Sequence, residues 1–545
     1  MTAAGGTGRT VRDATLDVLR EFGLTTLFTN PGSTEIPFLT DLPDDIRPVL
    51  ALHEGSVVGM ATGWAIARGG PALVQLHTTA GLGNAVGALA TARANRAPLV
   101  VLVGQQDRRH LATEPFLAGR LRGLAGDYPV GTDEPATAQD VPGAVARAHH
   151  AAVHGRGPAL VIVPVDDWAR PAADGAERAA ASRVARGAAA DPSGPAEIAA
   201  LIDTAAAPAL VTGAGTDTGD GWAALVALAE RIGAPVHQES FGARAGFPQD
   251  HPLFAGILPA DRPGLRAALA GHDAVVAVGA PVFRQYMFAE GPLVEPGTRL
   301  ALLTDDPAEA HRSPVELAVL GPLPAALRAV TERVRAREPR PSAGEDRPGA
   351  QAAAAPPAGG GGPLPPAHVF AELARRARPD TVIVEETPSS RPDLHRHLPA
   401  RRPLGFLSAA MGGLGFALPG AIGVRMARPD RPVIAVVGDG SCLYQVQALW
   451  SAAHYRAGVL VAVLSNGCYA VMDRLAERAG GKPSWPPFEE VSVAALARGL
   501  GCTARRVTTH AELTDALDAI LPALHDRRDP VLLDIAVATD ASFQP

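Results

Sequence analysis

Lysine is nearly missing from this chain: Lys482 is the only one among 49 basic residues, a bias read as GC-rich coding rather than as a functional signal. A formal charge of −7 gives no basic field, and no arginine run forms a patch for a phosphate backbone, so nucleic acid is excluded as a partner. Cysteine is scarce as well. Cys442, Cys468 and Cys502 are odd in number and lack metal-type spacing, which argues against a disulfide framework and fits a reducing compartment. Long apolar runs are also lacking. The stretches at 432–437 and 458–464 fall far short of the ~20 residues of a membrane helix, and Met1 to Thr10 has neither the basic stretch nor the apolar run of a signal peptide. The expected location is the cytoplasm, with no membrane partner.

What is present is core material. Hydrophobic residues make up 47% of the chain and charged ones 19%, a globular composition. At ~100 to 200 residues per domain the length predicts several domains. Short β-rich apolar runs alternate with Ala-rich helical stretches, which predicts parallel strands joined by crossover helices. Residues 1–170, 190–335 and 367–540 read as three such units, and the Pro/Gly/Ala-rich stretch at 337–366 as the clearest linker. The expected fold class is α/β, with three doubly wound parallel-sheet domains. Their similar size leaves distant duplication open.

Val433-Ile434-Ala435-Val436-Val437 reads as a buried strand ending in Gly438-Asp439-Gly440-Ser441, before a helical stretch through Leu449 and Trp450. The next predicted strand, at 459–464, ends in Ser465-Asn466-Gly467-Cys468. Asp439 and Asn466 are thus one strand–helix–strand unit apart, at the same carboxyl edge of a sheet, where open parallel sheets bind ligands. Either sequence alone is a common turn. Together they place a carboxylate, an amide oxygen and a nearby carbonyl at one edge, hard donors that suit Mg²⁺ on a diphosphate.

This pair resembles the cofactor motif of thiamine-diphosphate enzymes, which begins Gly-Asp-Gly and ends near an Asn. More narrowly, the chain is similar to their benzoylformate decarboxylase branch. The similarity runs through Asn30-Pro31-Gly32-Ser33, through Leu76-His77-Thr78-Thr79-Ala80-Gly81-Leu82-Gly83-Asn84, through Val282-Phe283-Arg284 and through Gly412-Gly413-Leu414-Gly415. It implies a pyrimidine-binding, a central and a diphosphate-binding domain. It also implies thiamine diphosphate with Mg²⁺ (or Ca²⁺), a small 2-oxo acid as substrate, a homodimer as the minimal active unit and a homotetramer as the assembly.

By that resemblance Asp439, Asn466 and the carbonyl of Cys468 bind the metal. Asn30, Pro31, Gly32, Ser389, Gly412, Leu414, Gly438, Gly440, Ser441 and Tyr469 contact the cofactor, with Leu414 holding it bent. Glu54, which follows the apolar run 49–52, would share a proton with the aminopyrimidine ring, since burial favours a protonated carboxyl. The cofactor's C2 carbanion then attacks the keto carbon and accepts the electrons as carbon dioxide leaves. Ser33 would bind the substrate carboxylate and His77 move protons, although unaided the two read as a helix cap and a structural histidine.

Alternatives stay open at this point. A carboligase similar to acetolactate synthase would use the same cofactor. A non-catalytic subunit would keep the fold, and Gly213-Ala214-Gly215 hints weakly at a nucleotide-binding oxidoreductase. The chain also departs from the branch. Tyr286 stands where a second catalytic His is expected, Ser408 where an aromatic is expected, and the remaining pocket positions read Val471, Met472 and Leu475. From these the expected substrate is an aliphatic or polar 2-oxo acid rather than benzoylformate.

Overall fold

The structure, a computed structural model, describes residues 8–173, 178–185, 187, 191–338 and 362–539. The predicted linker at 337–366 lies mostly, over 339–361, outside the described residues, and so do residues 1–7.

The described chain forms three six-stranded parallel sheets with helices on both faces, the three doubly wound α/β units expected. The first contains β1 (Thr26–Asn30), β2 (Arg47–Leu50), β3 (Ala72–Leu76), β4 (Leu99–Gln105), β5 (Gly131–Asp133) and β6 (Pro158–Pro164), ordered 2-1-3-4-6-5. The second contains β7 (Pro208–Thr212), β8 (Val236–Gln238), β9 (Phe254–Ile257), β10 (Ala274–Val278), β11 (Arg299–Thr304) and β12 (Leu317–Leu320), ordered 12-11-10-7-8-9. The third contains β13 (Val382–Glu386), β14 (Phe406–Ser408), β15 (Val433–Gly438), β16 (Leu460–Ser465), β17 (Thr503–Val507) and β18 (Val531–Ala536), ordered 14-13-15-16-18-17.

Counted within each unit, the first and third sheets share one strand order while the second differs. Duplication therefore fits the outer units and not the middle one. The central strands of all three are dominated by Val, Ile, Leu and Ala because helices cover both faces, and they are buried along all or nearly all of their length.

One apolar cluster runs continuously from the first sheet, at Phe28, Val74 and Val101, to the third, at Val384, Val433 and Val461. Two helices join the sheets, Glu54–Arg68 and Ala417–Ala427. Their backbones approach closely because glycines lie in the seam: a Cβ on Gly63 would come within 2.1 Å of the Gly420 carbonyl, and one on Gly423 within 1.9 Å of the Met60 carbonyl. Any side chain at either position would push the first and third units apart. The Ser56 hydroxyl donates to Gln445 Oε1 at 2.6 Å across the same seam. Gln445 also ends the helix Asp439–Tyr444, so the single helical stretch predicted through Trp450 is two helices, the second being Ala448–His454.

Candidate active site

The third sheet sets out the oxygen donors. β15 and β16 pair in parallel with Gly438 opposite Leu464, so Asp439 and Asn466 leave the sheet side by side at its carboxyl edge. Asp439 is buried, its Oδ1 accepting the Gly440 N–H at 2.8 Å and its Oδ2 the Gly467 N–H at 2.7 Å. Burial pushes the Asp439 carboxyl above its ordinary value, against the pull of these N–H donors. A cation beside it would relieve that penalty. Asn466 Oδ1 accepts the Cys468 N–H at 3.1 Å. Burial pushes the Cys468 thiol up to about 11.

These donors lie on a cavity of about 1780 Å³, also walled by Ser389, Gly412, Leu414 and Tyr469. Gly438, Gly440 and Ser441 line it too. A Cβ on Gly440 would meet the Tyr469 ring at 2.7 Å, which keeps this turn free of a side chain. The loop carrying Leu414 is held by Glu386, a residue that sequence reasoning passed over. Its Oε1 accepts the Gly415 N–H at 2.6 Å, and its Oε2 accepts those of Phe416 and Ala417 at 2.7 and 2.8 Å. The signal was there in Val382-Ile383-Val384-Glu385-Glu386, an apolar run ending in acid like those before Glu54 and Asp439.

The first-domain residues gather elsewhere in the same chain. Glu54 begins its helix after the N-cap His53, whose side chain accepts the Gly55 N–H. Asn30 Nδ2 donates to Glu54 Oε1 and Asn84 Nδ2 to Glu54 Oε2, each at 3.1 Å, so two amides clamp the carboxylate. Asn84 falls in a segment quoted above, yet nothing in its local pattern gave it this role. His77 Nδ1 lies 2.9 Å from both Glu35 Oε2 and Thr34 Oγ1. Glu35 is buried and also accepts the Gly32 N–H at 2.8 Å. The next residue, Thr78, has φ +28°, a strained value for a β-branched side chain at the start of a helix. Pro31 and Ser33 are exposed. No described residue of the first domain lines the cavity.

The proposed substrate positions divide. Tyr286, Val471 and Met472 line the cavity. Tyr286 packs edge-on against Phe241 with ring centroids 6.0 Å apart, and Arg284 Nη1, which donates to the Ala410 carbonyl at 2.7 Å, anchors its segment to the turn leading to Gly412. Ser408 does not belong to the wall, and that assignment is corrected. It sits in β14, 2% exposed, where its hydroxyl donates to Glu385 Oε2 at 2.9 Å and accepts from Arg391 at 3.0 Å. Leu475 lies a turn beyond Val471 on the helix Ala470–Arg478 and is not among the residues that line the cavity of its own chain.

Three segments match the thiamine pyrophosphate enzyme family: 9–121 its N-terminal TPP binding domain, 196–330 its central domain and 389–535 its C-terminal TPP binding domain. The chain belongs to the thiamine pyrophosphate enzymes. Within that family it is 40% identical to a benzoylformate decarboxylase of Pseudomonas aeruginosa, over 97% of this chain and 99% of that protein. It superposes with a TM-score of 0.92 on the thiamine diphosphate-dependent 4-hydroxybenzoylformate decarboxylase of Rhodococcus jostii RHA1, 36% identical, covering 98% of this chain and all of that one. An acetolactate synthase large subunit of Corynebacterium glutamicum is more distant, 26% identical over all of this chain and 88% of its own length. A thiamine-diphosphate-dependent decarboxylase, rather than a ligase, is therefore the reading that the comparisons favour.

Proposed function

We propose that this chain decarboxylates a 2-oxo acid non-oxidatively, with thiamine diphosphate held through Mg²⁺ or Ca²⁺ at Asp439, Asn466 and the Cys468 carbonyl. The observation that carries this reading is the buried carboxylate of Asp439 and the half-buried amide of Asn466, both at strand ends on the wall of a cavity of about 1780 Å³. A divalent ion there fits the hard donor set and neutralises both Asp439 and a diphosphate. When bound, the cofactor supplies a carbon nucleophile and an electron sink.

The protein's part is orientation and proton transfer. Leu414, on a loop fixed by Glu386, would hold the cofactor against the cavity wall. Glu54, clamped by Asn30 and Asn84, exchanges a proton with the aminopyrimidine. Ser33 takes the substrate carboxylate. With His77 Nδ1 engaged by Glu35 and Thr34, Nε2 is the nitrogen that moves protons at the substrate. Glu54 lies outside the cavity of its own chain, and exposed apolar residues flank both halves, Ile36 and Leu52 in the first domain and Met411 and Tyr444 in the third. This supports a homodimer in which one copy's 1–170 unit covers the other's 367–540 unit around the 190–335 centres, paired further into a homotetramer. The free cysteines Cys442, Cys468 and Cys502 support a cytoplasmic location.

The expectation of an aliphatic or polar substrate rested partly on Ser408, whose hydroxyl is satisfied inside the third domain. Among the residues that face the cavity are Phe241, Tyr286, Leu414, Val471 and Met472. That wall favours an aryl 2-oxo acid, which aromatic pairing stabilises by ~0.5 to 1.5 kcal/mol beyond burial. The relatives named for benzoylformate and 4-hydroxybenzoylformate support the same class. Carbon dioxide release should be measured over aryl, branched and short 2-oxo acids, with and without added aldehyde. Faster turnover of aryl substrates to free aldehyde supports the proposal. A preference for pyruvate, or acyloin as the main product without added aldehyde, opposes it.

A further inference from the structure

Away from the cofactor cavity, the third domain carries a group of side chains with no part in the chemistry above. His368 and Glu372 stand one turn apart on the helix Pro366–Arg376, and His510 opens the helix His510–Ile520. His368 and Glu372 are buried. One nitrogen from each imidazole and one carboxylate oxygen lie within 4.8 Å of one another.

The two rings meet at 2.8 Å, His368 Nε2 to His510 Nδ1, which places a single proton between them. Zinc takes imidazole nitrogen and carboxylate oxygen at ~2.0 to 2.2 Å, so the donors of a tetrahedral ion lie ~3.3 Å apart. The rings therefore need to part by only ~0.5 Å, a small rotation at the end of two side chains. If both rings are neutral, one changes tautomer on binding and none loses a proton, since each then carries its hydrogen on the distal nitrogen.

Glu372 is fixed from the other side. Arg375 and Arg376 both bind its Oε2, and Arg376 is held in turn by Asp518 at 2.5 Å. The carboxylate keeps a second oxygen for a cation. Two guanidinium groups oppose a weakly bound ion, so the set selects one with strong affinity for imidazole and disfavours Mg²⁺, which requires oxygen donors in octahedral array.

We propose that His368, Glu372 and His510 form a second metal site, for Zn²⁺ or a similar nitrogen-binding transition ion. It is distinct from the Asp439 site, and it ties His368, on the helix that opens the third domain, to His510, 142 positions later. Closing a loop of that length stabilises the domain without touching the cofactor.

The test uses tag-free full-length protein loaded with thiamine diphosphate and Mg²⁺, freed of transition metals and titrated with Co²⁺. Visible d–d absorption should saturate at one equivalent per chain and be displaced by Zn²⁺, and Zn²⁺ should raise the thermal midpoint. In the double variant His368→Gln/His510→Gln, Co²⁺ affinity should fall at least tenfold and the midpoint should no longer respond to Zn²⁺. Decarboxylation in Mg²⁺ should be unchanged. Glu372→Gln and the partly exposed single variant His510→Asn carry the same test should the double variant fold poorly. Absence of Co²⁺ absorption up to millimolar metal would overturn the proposal. So would absorption and a midpoint response that persist in these variants.

Discussion

Replacing Glu386 by glutamine tests the reasoning about the cofactor loop most sharply, because the change is isosteric. The native carboxylate accepts three backbone N–H groups, from Gly415, Phe416 and Ala417. An amide has one oxygen. Turned toward Phe416 and Ala417, it presents its NH₂ to the Gly415 N–H, leaving a buried donor without an acceptor at a cost of ~1 to 3 kcal/mol. Burial pushes the Glu386 carboxyl up to about 7, so above that pH the two remaining bonds also lose their ionic component and about half their strength. A loss of ~2 to 4 kcal/mol of local stability follows, concentrated in the loop that presents Leu414. If cofactor binding must restore that order, thiamine diphosphate affinity should fall ~30-fold or more, at ~1.4 kcal/mol per tenfold. Isothermal titration of the metal-loaded protein with cofactor reads the affinity, and urea unfolding reads the stability. Affinity within twofold of wild type with unchanged unfolding would refute the role given to Glu386.

Other expectations follow from the same geometry. Asp439→Ala should lose cofactor retention and activity together, read by cofactor content after gel filtration; unchanged retention would remove Asp439 from the metal site. Glu54→Gln should still bind cofactor while C2 hydrogen–deuterium exchange of the bound cofactor slows by at least 100-fold, the scale of a lost general acid–base group; a wild-type exchange rate would count against Glu54. Glu239 is buried with its carboxyl pushed up to about 8 from an ordinary 4.5, chiefly by desolvation. The folded state therefore keeps a proton that the unfolded chain gives up near 4.5, and stability falls as pH rises from about 4.5 to about 8. Relative to Glu239→Gln, the wild type should lose stability between pH 5 and pH 8 in urea unfolding; a difference independent of pH would contradict this.

What the sequence revealed and what it hid have separate physical causes. The central strands were legible because doubly covered strands are nearly uninterrupted apolar runs: β15 and β16 fall within one residue of the runs at 433–437 and 459–464. Asp439 and Asn466 were legible as a pair because consecutive parallel strands bring their carboxyl ends together. The short strands β5, β8 and β14, three residues each, carry too little pattern to be seen. Glu35, Asn84 and Glu386 owe their roles to partners brought close by folding: the His77 ring, the Glu54 carboxylate and three N–H groups of a loop. Ser408 failed for the opposite reason. Its position in the chain suggested the pocket, but the Glu385–Arg391 pair inside β13 and the following helix claimed its hydroxyl.

The central claim is that thiamine diphosphate and a divalent ion, bound at Asp439 and Asn466 and served by Glu54, decarboxylate a 2-oxo acid. Its most direct test is carbon dioxide release from benzoylformate and 4-hydroxybenzoylformate by protein stripped of cofactor and metal, then reconstituted. The expected result is no release from the stripped protein, release restored only when thiamine diphosphate and Mg²⁺ are both added, and one aldehyde formed per carbon dioxide. Release that needs neither addition, or a reconstituted protein that turns over no 2-oxo acid, would contradict the account.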